Sequence, residues 1–192
     1  MTDFANIAIF MDYENVKRNN HNNGRNDYPH KILDVILQEL SNDDSIGKIG
    51  LIRVYLAQGL PGKNSPVSQE QIFKIFDRGA EPKLIPSFKS NNDDQGLKNI
   101  TDGEMMCDIL DTLYTNSSID TFCLVTSDKD FIPVIRRIHS RGKKIILFHR
   151  GSTDYLLNQV TVFCNNKPED KRWTRCFDLN TLLSKQGSKS EV

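Results

Sequence analysis

The sequence predicts a doubly wound α/β sandwich of three layers around a mainly parallel sheet of about five strands. Two patterns carry this. Short apolar runs recur along the chain, and helical stripes of apolar residues alternate with them. Nearly continuous apolar runs suit strands covered on both faces, as in a parallel sheet.

The first run, Ala5 to Met11 (ANIAIFM), ends abruptly at Asp12. Gly50 to Ala57, Pro82 to Pro86, Thr121 to Thr126 and Lys143 to His149 repeat the signal. Between them, Pro29 to Leu40 sets Ile32, Leu33, Ile36, Leu37 and Leu40 on one stripe behind an N-terminal proline. Val67 to Arg78 carries Ile72, Phe73 and Phe76, and Gly79 is a natural stop. Asp102 to Tyr114 carries Met105, Met106, Ile109, Leu110 and Leu113. Phe131 to Arg141 carries Ile132, Val134, Ile135 and Ile138 and ends at Gly142.

Two stretches, Lys17 to Asp27 and Lys89 to Asn99, are polar, Asn-rich and aperiodic, and are expected as loops over the carboxyl edge of the sheet. Past Asn165 the pattern weakens. Trp173, Phe177, Leu179, Leu182 and Leu183 can dock one more element, while Ser184 to Val192 is expected to fray. The expected organisation is one domain over residues 1–165 and a C-terminal extension over 166–192.

Composition narrows the function. Among 192 residues, 25 Lys and Arg balance 25 Asp and Glu, which excludes a basic nucleic-acid tail or an acidic solvating chain but not a local basic face. No apolar run reaches bilayer-spanning length, and the first residues lack a signal-peptide pattern. The cysteines, Cys107, Cys123, Cys164 and Cys176, form no CxxC pair, and at least three sit among apolar neighbours as expected buried thiols. A soluble, cytoplasmic protein is the expectation, with no membrane partner.

The informative feature is the placement of acids. Asp12 directly follows the first strand, and Asp128 and Asp130 follow the TFCLVT strand, where open α/β sheets form their sites. Asp102, expected in the first turn of its helix, shares the stripe of Met105, Ile109 and Leu113 and so overhangs the sheet edge. Glu104 and Asp111 project from the opposite side, with Asp108 on the flank. Converging carboxylates repel by about 4 kcal/mol per pair at 4 Å and an effective dielectric near 20. They need a proton or a cation, and an all-oxygen set selects Mg²⁺ or Mn²⁺ over zinc. Such an ion supports hydrolysis of a phosphodiester. The four histidines, His21, His30, His139 and His149, show no metal-ligand spacing. Any one of these acids alone is more often a helix cap or a turn residue. Four, from three separate segments, favour metal chemistry.

IAIFMDYENV resembles the opening of NYN domains, in which a strand ends in an Asp followed three residues later by Asn, here Asp12 and Asn15. KNITDGEMMCDIL is similar to the family's central Lys-x-x-Asp helix start with a second Asp six residues on, here Asp102 and Asp108. LVTSDKDFIPVIRRIHSRGKKIILF resembles its third segment, an apolar strand, acids, a helix, Gly and another strand. The resemblance covers about Ile7 to Phe148. KNITD has one residue more between Lys98 and Asp102 than the family's tightest spacing, and the loop after Asn15 is long.

The resemblance implies a PIN-like, Rossmann-like fold and a Mg²⁺- or Mn²⁺-dependent nuclease acting on RNA. It implies that Asp12, Asp102 and Asp128 hold the metal, that Asp130 completes the cluster or supports it from behind the metal ligands, and that Asn15 orients a carboxylate or contacts phosphate. Thr126 and Ser127 stand where a scissile phosphate can be hydrogen-bonded or a turn formed.

Among basic residues, Arg150 follows a strand at the expected active edge, and Lys17 and Arg18 follow Asn15; these are the phosphate candidates. Arg136, Arg137, Arg141, Lys143 and Lys144 read more readily as a solvated face near a helix C-terminus. Tyr13 and Phe131 flank the acids as base-stacking or packing residues. The leading expectation is a metal-dependent ribonuclease. The alternative is a catalytically weak or inactive RNA-binding adaptor, with a protein partner or a homodimer left open. A haloacid-dehalogenase-like phosphatase ranks third, because that class expects a second Asp two residues after the first, where this chain has Glu14.

Overall fold

In the computed structural model, residues 6–17, 27–42, 47–58, 67–86, 95–151, 154–165 and 174–187 are described. Strand β1 (Asn6–Asp12) leads into a short helix α1 (Tyr13–Val16) and then α2 (Pro29–Ser41). After β2 (Ile49–Gln58) come α3 (Gln69–Phe76), β3 (Glu81–Pro86) and the long α4 (Gln95–Thr115). Strand β4 (Ile119–Val125) runs through a single 3-10 turn (Lys129–Phe131) into α5 (Ile132–Ser140). The chain closes with β5 (Lys144–His149), α6 (Asp154–Asn165), β6 (Thr174–Asp178) and α7 (Leu179–Gly187).

All strand pairs are parallel, and the six strands lie in the order β3-β2-β1-β4-β5-β6. The order reverses between β1 and β4, the place where ligands bind in such sheets. Alternation along β1 explains the layers. Ile7, Ile9 and Met11 pack with α2, α3 and α7. Ala8 and Phe10 pack with α4, α5 and α6, where the Phe10 and Phe122 rings lie parallel with centroids 6.2 Å apart. Asp12 continues the Ala8–Phe10 set by the period of two and therefore meets α4.

Local signals fix the helix ends. Ser68 and Gln71 form a reciprocal capping box at the start of α3. Gly142, with φ of 71°, turns the chain out of α5, a conformation that costs other residues about 1 kcal/mol or more. Among the described residues, no helix is long and apolar enough to cross a membrane.

The structure corrects several expectations. Helix α4 begins at Gln95, so Gln95 to Asn99 is helical rather than loop, and Asp102 lies inside the helix instead of in its first turn. The sheet gains a sixth strand, β6, from the C-terminal extension. Phe177, Leu182 and Leu183 pack against the core there, Leu179 is buried in it, and α7 continues through Ser184 to Gly187 where fraying was expected. Trp173 lies outside the described residues, as do most of the two expected loops and residues 188–192. Of the thiols, Cys123 is buried, whereas Cys107 faces solvent from the outer side of α4 and Cys176 is exposed on the edge strand β6.

Candidate active site at the carboxyl edge

Asp12 is only 1% exposed although it closes a strand, because α4 brings Asp102, itself 6% exposed, over it. As the N-cap of α1, Asp12 accepts a hydrogen bond on Oδ1 from the Asn15 backbone N–H at 3.2 Å. Its Oδ2 is buried and receives no hydrogen bond from any N–H or hydroxyl. Burial, reinforced by the neighbouring Asp102 carboxylate, pushes the Asp12 carboxyl up to about 7, while the Asn15 backbone pulls it down. Two carboxyl groups so placed share one proton or one cation.

The third acid is tied in by Asn15, whose Nδ2 donates to Asp128 Oδ2 at 3.3 Å. Asp128 in turn caps the 3-10 turn, accepting on Oδ1 from the Asp130 backbone N–H at 3.0 Å, and its own N–H donates to Thr126 Oγ1 at 3.1 Å. Asn15 thus connects the carboxyl ends of β1 and β4 across the switch point. Asp130 contributes this backbone bond and is itself exposed.

Among the described residues, no three His, Cys, Asp or Glu side chains are gathered closely enough to enclose a metal ion. The expected four-acid cluster therefore resolves into an Asp12–Asp102 pair, an Asp128 linked through Asn15, and an outlying Asp130. A closed cage is not what Mg²⁺ requires. It is commonly held by one or two carboxylates, with water and substrate phosphates in the remaining positions. The buried pair, with an Asp12 oxygen lacking any donor, fits that demand.

Asp108, the second acid of the helix motif, is spent elsewhere. It accepts a hydrogen bond from the Tyr55 hydroxyl at 2.6 Å and pairs with Arg53 at 3.3 Å. Both partners come from β2, and Lys83 of β3 stands 3.9 Å away. Burial and this bond to Asp108 raise the Tyr55 hydroxyl well above the usual tyrosine range. Tyr55→Phe should cost about 1 kcal/mol in denaturant unfolding, since Asp108 keeps its cations but loses one hydrogen bond.

Ser127 and Arg150 form a clasp between the ends of β4 and β5. Ser127 Oγ donates to the Arg150 carbonyl at 3.0 Å and accepts from the Arg150 N–H at 2.8 Å. The hydroxyl is thus engaged in both directions. The Arg150 guanidinium, 9% exposed, pairs with Asp27 at 2.5 Å, and its Nε and Nη2 are buried without acceptors. Lys17 pairs with Glu14 and lies over the Tyr13 ring. Arg18 lies outside the described residues, and the Lys98 side chain is likewise not described.

Phe131 is fully buried in the core, which leaves it no face for a base, and Tyr13 packs partly against the opposite cluster. Arg136 bonds Gln159 at 2.8 Å, Arg141 lies over the Tyr114 ring and Lys143 reaches Asp120 at 3.4 Å. These local partners match a solvated face. Sequence reasoning missed the Arg150–Asp27 pair, because Asp27 closes an Asn-rich segment that carries no period.

A parallel α/β sheet flanked by helices, with buried acids at its switch point, is consistent with a PIN-like fold. Residues 6–166 match the family model of the NYN domain, and the chain belongs to that family. An uncharacterized protein of Methanocaldococcus jannaschii is 33% identical over 141 residues, which is 73% of this chain and 46% of that protein. The chain thus spans about half the length of this curated relative.

Proposed function

We propose that the protein is a metal-dependent ribonuclease that hydrolyses phosphodiester bonds at the carboxyl edge of the sheet. The observation carrying this reading is the buried Asp12–Asp102 pair, whose electrostatic cost a bound cation would offset. Asp12 and Asp102 would hold Mg²⁺ or Mn²⁺, with Asp128 beside them. Such an ion, when bound, neutralises charge developing on the phosphate and acidifies water.

The chain's own residues do the rest. Asn15 fixes the facing oxygens of Asp12 and Asp128, so that neither carboxylate rotates away from the edge. Asp128, held also by the Asp130 backbone, orients the attacking water in line with the leaving 3′ oxygen. The new bond joins water oxygen to phosphorus, the P–O3′ bond breaks, and the proton lost by water balances the one gained by the leaving oxygen. Arg150 and Lys17 stand at the same edge, each already paired with an acid, Asp27 and Glu14, so they shape the edge rather than add free positive charge to it.

Labelled single-stranded RNA incubated with Mn²⁺, Mg²⁺ or EDTA tests the proposal, using wild type, Asp12→Asn and Asp128→Asn. Metal-dependent cleavage by wild type, lost in both variants, is the expected result. Cleavage that persists in both variants places the chemistry elsewhere. RNA bound but uncut by wild type in either metal turns the reading to the adaptor alternative.

A further inference from the structure

A second feature lies at the carboxyl edge, on the face opposite α4. The first turns of α2 and α3 border a cavity of about 410 Å³ lined by Tyr28, His30, Lys31, Ser68, Gln71 and Lys74. That volume lies within the range of small-ligand sites. Both helices direct their positive dipole ends toward this edge, with the Gln71 N–H of α3 already capped by Ser68 Oγ and the Lys31 N–H of α2 bonded to the Tyr28 carbonyl. Tyr28, the N-cap of α2, supplies no side-chain cap.

Independent of the helix ends, His30 lines the cavity while only 7% exposed, and its buried Nδ1 has no hydrogen-bond partner. Glu70, also in the wall, pairs with Lys74 at 2.6 Å, so Lys31 leaves the lining with one net positive charge when His30 is neutral. The nearby Arg78 is balanced by Asp34. The cavity also connects to the acids. Tyr28 follows Asp27, Asp27 holds Arg150, and the Arg150 peptide is clasped by Ser127 next to Asp128.

We propose that this cavity is an anion site that takes a phosphate of the RNA strand flanking the scissile bond. It rests on the ribonuclease reading and adds a direction to it: the strand leaves the acids across Arg150 and Asp27 and enters between α2 and α3. Burial, with Arg78 and Lys74, holds the His30 imidazole below its usual range. A phosphate seated beside it reverses that field and draws the value upward.

The test measures binding of a short labelled oligouridylate in EDTA, for wild type and for Lys31→Ala combined with Lys74→Ala. The expected result is an affinity about tenfold weaker and a salt slope smaller by about 0.7, the loss of one single-strand phosphate contact. In parallel, the oligouridylate should raise the His30 pKa read by NMR, and uridine monophosphate serves as the free-nucleotide control. Unchanged affinity and slope in the double variant, with wild type binding normally, overturn the site and leave the ribonuclease reading intact. A His30 shift with uridine monophosphate but none with the oligouridylate assigns the cavity to a free nucleotide and overturns the strand path. Wild type that neither binds nor cuts RNA overturns both.

Discussion

Asp12→Asn should lower metal-dependent RNA cleavage about a thousandfold, the equivalent of roughly 4 kcal/mol of lost charge stabilisation. The same substitution should stabilise the metal-free protein at neutral and alkaline pH. Asp12 is buried against Asp102, and its carboxyl is raised to about 7 in the folded chain. An unfolded aspartate titrates near 4, so the folded state holds this proton more tightly. Its contribution is complete below about pH 4 and is lost as pH rises through 7. Thermal denaturation in EDTA at pH 5 and pH 8 should therefore show wild type losing stability with rising pH and Asp12→Asn losing less. Each kcal/mol recovered corresponds to about 2–4 °C in a chain of this size. Adding Mg²⁺ at pH 8 should restore wild type far more than the variant. Equal pH slopes in the two proteins would show that Asp12 does not hold this proton.

Asn15→Ala should reduce metal-dependent cleavage by about 10- to 100-fold, the range typical when a residue orienting metal ligands is removed. The substitution is selective. The Asn15 backbone N–H that caps Asp12 survives in Ala, while the Nδ2 bond to Asp128 disappears. Asp128 keeps its bond from the Asp130 N–H, so the loss is one of alignment rather than of folding. A metal titration followed by single-turnover cleavage separates the two effects. Unfolding free energy should change by no more than about 1 kcal/mol. A fall in stability large enough to account for the lost activity would make Asn15 a structural residue.

Strands β1 to β5 were legible in the sequence because each reads as a short apolar run, most continuous in β1, β4 and β5, which are buried on both faces. The short α1 and the start of α4 were not. Gln95 to Asn99 is polar and contains Gly96, and its helical state is set by continuity with the amphipathic turns that follow. Helix α6 escaped because Leu156, Leu157 and Val160 are embedded in a segment where β-branched and aromatic residues blur the helical period. Strand β6 spans five residues, too few for periodicity to speak, and gains its place by pairing with β5.

The candidate site divides along the same line. Asp12 and Asp128 announce themselves as acids after apolar strands, and Asp102 by sharing a stripe with Met105 and Ile109. Interactions that bridge distant segments left no sequence signal. Asn15 and Asp128 are 113 positions apart, and Asp27 and Arg150 are 123 apart. Asp108 looked equivalent to Asp102 by motif, yet one lies over Asp12 and the other over the Tyr55 hydroxyl. Only the placement of α4 across β1 and β2 separates them.

The central position of β4 also governs how the protein comes into being. Synthesis delivers β1, β2 and β3 first, and in this state one side of β1 is an open edge. The strand that closes it begins at Ile119, downstream of β3 and the long α4. A nascent chain shorter than that carries Asp12 and Asp102 but lacks Asp128 and the whole outer half of the sheet. The third acid of the candidate site therefore arrives together with the burial of the β1 edge.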